Sequence, residues 1–494
     1  MKNIVKQIIG LGFSVLLLVS CKKEYLTPVP QTAIADLTAF DSPERVLNQV
    51  RSIYQALKNG NFYGGRYQVY GDIRADDFIN ETTNGVTGFD VWNLNPLGTS
   101  QNSVKNLWSQ AYYTINLCNL FIDGMAVKGT SVVGTTLSNN YLGEARLVRA
   151  LSYYSLLQYY ARPYADGNGS KPGLPLRLTG IKGSGFSDLA RSTVAQVYTQ
   201  ILADLDFAEA NLPATYTSNE LNTTRAHRNT AIALKTRVYL SMQNYGAVVT
   251  EGNKLANQAT APFKATNGGV QDSLQPNITT IFGAAPVYNT TESIFSLPMT
   301  STAGDNPGTQ NQLGFYFVRN GSSLGAAEYS MNPSGILANT NWSATDARRV
   351  SLVYLNASTG KRFVSKYQNP SPYLDYAPVI RYSEVLLNLA EGLARTAAGG
   401  GVDAKALALV NAVRKRSDPA TTITAATQQQ LIDAILLERR IEFLGEGLRN
   451  NDIMRLLQTI PAKGSVPAKT PSETGYIWPI SADELSLNRL MTDN

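Results

Sequence analysis

The fold is decided near the C-terminal end of the chain by residues 438–455, which read Glu-Arg-Arg-Ile-Glu-Phe-Leu-Gly-Glu-Gly-Leu-Arg-Asn-Asn-Asp-Ile-Met-Arg. Glu438 and Glu442 are about one helical turn apart, so both carboxylates share one helix face. Such a pair could be catalytic or bind a metal, or it could belong to a web of ion pairs that joins helices. The i,i+3 spacing of Arg439 and Glu442 favours the ion-pair web. Its candidate arginines are Arg439, Arg440, Arg455, Arg146 and Arg149.

Helical periodicity extends outward from this stretch and recurs through the first half of the chain. Ser42, Pro43 and Glu44 predict a helix start, because a cap residue, a proline at the first position and an acid in the first turn follow in order. The helix at 140–160 places large apolar side chains on adjoining faces and should be buried on most sides. Further helices are predicted at 104–125, 194–211, 231–240, 248–258, 379–395, 404–416 and 429–443.

Several of these helices form pairs joined by a short turn. Residues 233–247 and 381–413 combine small residues on one helix face with a turn, a pattern similar to a tetratricopeptide unit, although a strict repeat period is absent. The sequence therefore predicts a mainly α fold of about four tetratricopeptide-like helix pairs with a large loop-rich, partly β insertion.

Two loop-rich excursions interrupt the helices, at residues 60–101 and 259–376. Both are rich in Asn, Thr, Ser and Gly, and loop regions of this length are usually functional or disordered. Their aromatic residues favour order. Strand-like pieces of the second excursion are 293–297, 315–318 and 362–367. The predicted organisation is an N-terminal helical region with ligand-side loops at 42–258, a variable loop-rich region at 259–376 and a C-terminal helical region at 377–494.

The N-terminus has the pattern of a cleaved export signal. Lys2 and Lys6 precede an apolar run at 8–19, which is shorter than the roughly 20 residues that cross a bilayer. Leu18-Val19-Ser20-Cys21 follows and resembles the lipobox of bacterial lipoproteins. We predict a signal peptide at 1–20, lipidation at Cys21 and a lipidated tether at 21–41. The alternative is an ordinary secretory signal with a nearby cysteine.

Composition excludes several classes of function. The formal charge of +6 is spread without a basic run, so nucleic acid is not a predicted partner. The only histidine, His227, stands between arginines at a predicted helix start, and histidine-dependent triads or zinc sites are therefore disfavoured. Cys118 lies in an apolar helical run and is predicted to be a small core residue.

The sequence predicts neither a metal site nor a cofactor. Asp72, Asp76, Asp77 and Glu81 form an acidic cluster, but they lack the spacing of a calcium loop, so a solvated surface or pairing with Arg74 is favoured. No glycine-rich stretch has the form of a phosphate-binding loop.

The four tryptophans separate into two groups. Trp108, within a helix, and Trp478, beside Pro479, are predicted to lie in the core. Trp92 and Trp342 fall in the excursions among asparagines, and a ring with neighbouring amides suits the apolar face and hydroxyl rim of a neutral sugar. The alternative is that each ring anchors its loop. The predicted ligand-binding residues are Trp92, Asn95, Tyr70, Asp77 and Trp342.

A set of ordered motifs gives the chain a family likeness. Residues 438–455 follow four other stretches: Glu144-Ala145-Arg146 with Tyr153-Tyr154, Gly173-Leu174-Pro175-Leu176, Arg381-Tyr382-Ser383-Glu384, and Asn411-Ala412-Val413-Arg414. Together they resemble the SusD/RagB family of nutrient-uptake lipoproteins, from Cys21 to the last residues. Asn450 and Asn451 depart from the family's usual aromatic or apolar residues before the Asp.

The resemblance implies a definite function. Members of this family sit as a lid on a SusC-like TonB-dependent channel of the outer membrane and pass oligosaccharides, or sometimes peptides, into it. The expected protein is therefore a cell-surface glycan-binding lipoprotein, held on the membrane by its lipid, and not an enzyme. One alternative is a membrane-anchored tetratricopeptide scaffold that binds protein or peptide. Another is a glycosidase, for which no acid pair is evident outside the arginine-rich helices.

Overall fold

The computed structural model describes residues 38–494 except 184, 186, 303, 309 and 318–327. The predicted signal peptide, Cys21 and most of the tether lie outside the described residues. The α-helices are α1 (Pro43–Leu57), α2 (Arg66–Ile73), α3 (Phe89–Trp92), α4 (Asn106–Gly124), α5 (Thr130–Val133), α6 (Thr135–Tyr160), α7 (Val194–Asn211), α8 (Asn219–Thr224), α9 (Arg228–Ser241), α10 (Tyr245–Leu255), α11 (Leu313–Phe317), α12 (Ala347–Ser351), α13 (Tyr382–Thr396), α14 (Ala404–Ser417), α15 (Gln428–Glu442), α16 (Arg449–Arg455) and α17 (Ala482–Leu487). The strands are β1 (Phe78–Asn80), β2 (Ser293–Leu297), β3 (Tyr329–Met331), β4 (Val353–Leu355), β5 (Arg362–Val364) and β6 (Ala377–Arg381).

Small polar residues cap the first turn of several helices. Ser42 Oγ accepts a hydrogen bond from the Arg45 N–H at 3.3 Å, which confirms the predicted start of α1. Thr193 and Gln196 form a reciprocal capping box before α7. α7 has the predicted bounds, and α14 and α15 agree with prediction to within one residue.

The long helices pack one after another in chain order. α4 packs on α6, α6 on α7, α7 on α9 and α9 on α10, and the row continues to α13, which contacts α14 and α15. Every side chain from Leu147 to Tyr160 in α6 is buried, as the periodicity predicts. The prediction of a mainly α fold of helix pairs with an insertion is confirmed.

In the described part of the chain, three two-stranded antiparallel sheets organise the loop-rich regions. β2 pairs with β6, β4 with β5, and β1 with β3. β1 belongs to the first excursion and β3 to the second, with Phe78 opposite Met331 and Asn80 opposite Tyr329. The two excursions, separated by most of the N-terminal helices, therefore meet in one structure.

At two places the chain forms a different type of element from the one predicted. The helix predicted at 379–395 begins only at Tyr382, because residues 377–381 pair with β2 as a strand and tertiary pairing overrides the helical pattern. The strand predicted at 315–318 is instead helical through Phe317, where a turn buries three consecutive aromatic rings; residue 318 lies outside the described part. The strand predicted at 293–297 is confirmed as β2.

A web of buried ion pairs ties the insertion to the C-terminal helices. Glu442 on α15 receives Arg381 at 3.0 Å, Arg416 at 2.5 Å and Arg348 at 2.9 Å. Glu438 receives Arg348 at 2.6 Å. Because Arg348 lies on α12 of the insertion and Arg381 on β6, the web joins three parts of the chain.

The web itself was predicted, but its partners were wrong. Arg439 and Arg455 bind Asp452 at 3.0 and 2.9 Å, and Arg149 binds Asp204 at 2.7 Å. None of the predicted arginines reaches Glu438 or Glu442, because the two glutamates bind arginines of α12, β6 and α14 instead.

Other core predictions agree with the structure. Cys118, Trp108 and Trp478 are buried. His227 is the N-cap of α9, and burial lowers its pKa to about 4, so the ring is neutral near pH 7.

In the described residues, no helix is long and apolar enough to span a membrane. Within the same residues, no group of three or more His, Cys, Asp or Glu side chains is placed to hold a metal ion.

Candidate functional site

A cleft of about 590 Å³ opens where the two excursions meet, and we call it the excursion cleft. One wall is the β1–β3 pair with the turn after β3, and the other is the hairpin of β4 and β5. The turn at 462–464 closes the third side. The lining residues are Ile79, Glu81, Ser330, Met331, Asn332, Pro333, Ser334, Leu337, Thr359, Gly360, Lys361, Arg362, Ala462, Lys463 and Gly464.

Buried hydrogen bonds fix the first wall to the helical body. Asn332 donates from its backbone N–H to the Asp77 carbonyl and from Nδ2 to the Asp76 carbonyl, both at 2.7 Å. Asp77 Oδ1 accepts the Ile336 N–H at 2.7 Å, and Arg440 on α15 donates to the same carboxylate at 2.5 Å. The wall is therefore rigidly held by the acidic cluster behind it.

The second wall is a short hairpin with a structured tip. Leu355 stands opposite Arg362 in the β4–β5 register, and residues 356–361 connect them. Asn356 Oδ1 accepts from the Ser358 N–H at 3.1 Å and from the Ser358 hydroxyl at 2.7 Å. This turn holds Thr359, Gly360 and Lys361 at the mouth of the excursion cleft.

A buried lysine supports the turn at 462–464, which forms the floor of the excursion cleft. Lys463 Nζ donates to the carbonyls of Arg74 and Ala75 at 2.8 and 2.7 Å, and to that of Ile73. Burial holds the pKa of Lys463 well below its usual range. Gly464 follows with φ of +51°, and a Cβ there would lie 3.5 Å from Trp92 Cζ2. Trp92 therefore lies directly behind the floor.

Among the described lining residues, Glu81 supplies the one carboxylate at the rim. Glu81 Oε1 accepts the Ser330 hydroxyl at 2.5 Å, and Oε2 pairs with Lys361 across the mouth. Arg362 is exposed next to this ion pair. Hydroxyl and amide groups of Ser330, Asn332 and Thr359 share the walls with the apolar Met331, so the excursion cleft can contact a ligand that is polar at its edges and apolar on its faces.

The predicted platform residues are mostly buried. Trp92 is 5% exposed, its Nε1 donates to the Phe78 carbonyl at 2.9 Å, and its ring stacks on Phe89. Trp342 is 1% exposed, and Arg349 lies over its ring. Neither ring offers a free face to a sugar, and this burial favours the alternative that each ring anchors its loop.

The other predicted ligand residues do not line the excursion cleft either. Tyr70 is buried and donates to the Asn102 carbonyl at 2.7 Å. The Asp77 carboxylate is occupied by Arg440 and the Ile336 N–H. Asn95 is exposed in the loop after α3, outside the lining set.

The acidic cluster is likewise paired differently from the prediction. Asp76 binds Arg440 and Arg449 at 2.8 and 3.2 Å. Arg74, the predicted partner, donates instead to Asn450 Oδ1 at 2.6 Å. Asp76 and Asp77 therefore support the first wall from behind, whereas Glu81, another acid of the cluster, lies at the rim of the excursion cleft.

Comparisons with known proteins identify the family. A family model described as starch-binding and associating with the outer membrane matches residues 24–240, and the SusD family model matches residues 236–494. A SusD superfamily protein of Bacteroides fragilis, solved by crystallography, is 32% identical with a TM-score of 0.79, over 92% of this chain and 99% of that one. This chain belongs to the SusD family.

More distant relatives cover the chain equally well. SusD-like protein P2 of Formosa agariphila is 24% identical over 98% of both chains. A structure described as a laminarin-binding SusD-like protein is 19% identical with a TM-score of 0.72, covers 92% of this chain and 99% of that one, and shows the shared fold.

Proposed function

We propose that this protein is a lipid-anchored cell-surface protein that binds an oligosaccharide in the excursion cleft and delivers it to a SusC-like TonB-dependent transporter. Membership of the SusD family, with a matching model described as starch-binding and associating with the outer membrane, supports carbohydrate binding at that membrane. A structural neighbour is described as laminarin-binding.

The observation that carries the proposal is the excursion cleft itself. Both excursions contribute to it, and the helical body holds its first wall through Asp76, Asp77 and Arg440. A rigid concave site with a few convergent polar groups suits a small polar ligand, because little ordering is needed on binding.

The same cleft supports binding without catalysis. Glycoside hydrolysis commonly needs two carboxyl groups about 5–10 Å apart. Among the described residues that line the excursion cleft, Glu81 supplies the one carboxylate, and Ser330 and Lys361 occupy it. The Glu438 and Glu442 carboxylates are paired with arginines in the buried ion-pair web.

The anchor and the transporter complete the proposal. Cys21 is proposed to carry lipid, and each buried methylene of such a chain adds about 0.8 kcal/mol of membrane affinity. Purification of a tagged protein from native membranes should recover a TonB-dependent transporter. Recovery of the protein without any transporter would contradict the delivery step while leaving carbohydrate binding standing.

The excursion cleft can be tested by changing each wall. Replacing residues 356–361 with Asn-Gly shortens the hairpin between the facing Leu355 and Arg362, and Asn-Gly is the preferred two-residue hairpin turn. Ser334→Trp fills the cleft from the exposed edge of the other wall. Calorimetric titration against an oligosaccharide panel should show at least tenfold weaker binding for both variants.

A matched control separates loss of the site from loss of the fold. Ser472→Trp places the same ring on an exposed loop outside the excursion cleft and should bind as wild type does. If a glycan binds wild type and both cleft variants equally, the site lies elsewhere. If no glycan binds but peptides do, the scaffold that binds protein or peptide is the better description.

A further inference from the structure

We propose that the excursion cleft selects acidic sugars, whose carboxylate or sulfate group is bound by Arg362. This inference rests on the proposed function and names the chemical class of its ligand. The sequence predicts a neutral oligosaccharide, because exposed tryptophan rings would stack on its sugar rings. The structure favours a different ligand, since the tryptophans expected to supply that stacking are buried.

The first observation is the state of the Arg362 side chain. Among arginines in the described residues, Arg362 is the only one whose guanidinium makes no hydrogen bond or ion pair within the chain. Its side chain is exposed on the cleft wall. Two arginines that contact residues of the first wall from behind are occupied: Arg440 by Asp76 and Asp77, and Arg349 by the Trp342 and Leu337 carbonyls. A guanidinium offers five donors in a planar fork that matches a carboxylate or sulfate.

The second observation is the balance of charge around the excursion cleft. Its described lining contains the basic residues Lys361, Arg362 and Lys463 and one acid, Glu81. Lys361 is neutralised by Glu81, and Lys463 points away to three backbone carbonyls. Arg362 is left as the uncompensated charge, so the field in the cleft favours an anion.

The third observation is the position of the guanidinium among neutral hydrogen-bonding groups. Arg362 begins β5, and its backbone is fixed opposite Leu355 by the hairpin register. Ser334 and Asn332 lie on the opposite wall of the same cleft. An acidic sugar residue could therefore place its charged group at Arg362 and its hydroxyls toward the polar wall.

Paired ligands test this inference. Oligogalacturonate and a sulfated carrageenan oligosaccharide are titrated beside their carboxyl-reduced and desulfated counterparts, which distinguishes the two sources of negative charge. At least one acidic ligand should bind about tenfold to a hundredfold more tightly than its neutral counterpart, as expected for hydrogen bonds to a charged group. Its affinity should fall as sodium chloride is raised, because salt screens an exposed charge.

Substitutions at Arg362 locate the selectivity. Arg362→Gln should remove the preference for the acidic ligand, and Arg362→Lys should retain part of it because the charge remains. Arg51→Gln, an exposed arginine of α1 outside the cleft, should bind as wild type does. All variants should keep the wild-type melting temperature.

The outcomes separate this inference from the proposed function. Equal binding of acidic and neutral counterparts, or an unchanged preference in Arg362→Gln, would overturn acidic selectivity while leaving carbohydrate binding intact. Failure of every oligosaccharide to bind would overturn both.

Discussion

Neutralising Glu442 should destabilise the whole molecule, because this carboxylate is the centre of the buried web. It is 0% exposed and receives three guanidinium groups, from Arg381, Arg416 and Arg348, at 2.5–3.0 Å. Glu442→Gln keeps the size of the side chain, so packing changes little. It removes the negative charge and turns an amide donor toward arginines that can only donate.

The magnitude follows from what the substitution leaves behind. Removing one partner of a buried ion pair typically costs about 3–5 kcal/mol, because the remaining charge stays buried without compensation. Here Arg381 retains Glu446 and Glu292, and Arg348 retains Asp346 and Glu438, so the loss is shared. We therefore expect the free energy of unfolding to decrease by about 3–5 kcal/mol in total, and we do not add this cost three times for the three broken contacts.

Urea-induced unfolding followed by helical circular dichroism measures this change. Urea is uncharged and does not screen the web, unlike guanidinium chloride. The control is Asp433→Asn on the same helix, where the side chain is exposed, and its effect should remain within about 0.5 kcal/mol. An unfolding midpoint of Glu442→Gln equal to that of the control would refute the reasoning and show that the web contributes little net stability.

Four other perturbations have defined outcomes. Arg440→Ala strands Asp76 and Asp77 behind the first wall and should reduce stability by about 2–4 kcal/mol, measured by urea unfolding; an unchanged midpoint would show that the wall holds without it. Trp342→Ala should lower the free energy of unfolding by about 3–5 kcal/mol, because a buried ring is lost. Weaker glycan binding by this variant at wild-type stability would instead show that Trp342 contacts the ligand directly. Burial would raise the pKa of Asp452, but Arg439 and Arg455 lower it to about 2. The stabilisation that this carboxylate provides is therefore present above about pH 4 and is lost as the pH falls toward 2. Asp452→Asn should flatten this part of the acid-unfolding curve, and an unchanged slope would contradict the pairing. Cys21→Ser should abolish labelling by a metabolically supplied fatty acid, and absence of labelling in wild type would refute lipidation.

Local physical rules predicted the helices and the core well. The capping sequence at Ser42, the periodicity of α6 and the bounds of α7 depend on residues close together in the chain, so one sequence is enough to read them. Ordered motifs predicted the family in the same way, since each motif is contiguous. Where a distant strand competed with helical periodicity, as at 377–381, the local reading was wrong.

The proposed site was harder to predict because it is built from distant segments. The acid–base character of 438–455 indicated a web, but its partners Arg348 and Arg381 come from the insertion and β6, which no local spacing connects to Glu442. The excursions were correctly singled out as unusual, yet the pairing of β1 with β3 across about 250 residues is not visible in a spacing pattern. Sequence reasoning therefore chose the conspicuous tryptophans and did not single out Lys361 and Arg362 of the proposed site, whose exposure depends on the hairpin.

The most direct test of the central claim is a crystal structure of the protein with a bound oligosaccharide selected from the titration panel. We predict sugar density in the excursion cleft, within hydrogen-bonding distance of Asn332 or Ser334 on one wall and of the hairpin residues 359–362 on the other. Density at another surface, such as the Asn- and Thr-lined pocket between α8 and the segment before β2, with the excursion cleft unoccupied, would contradict the account.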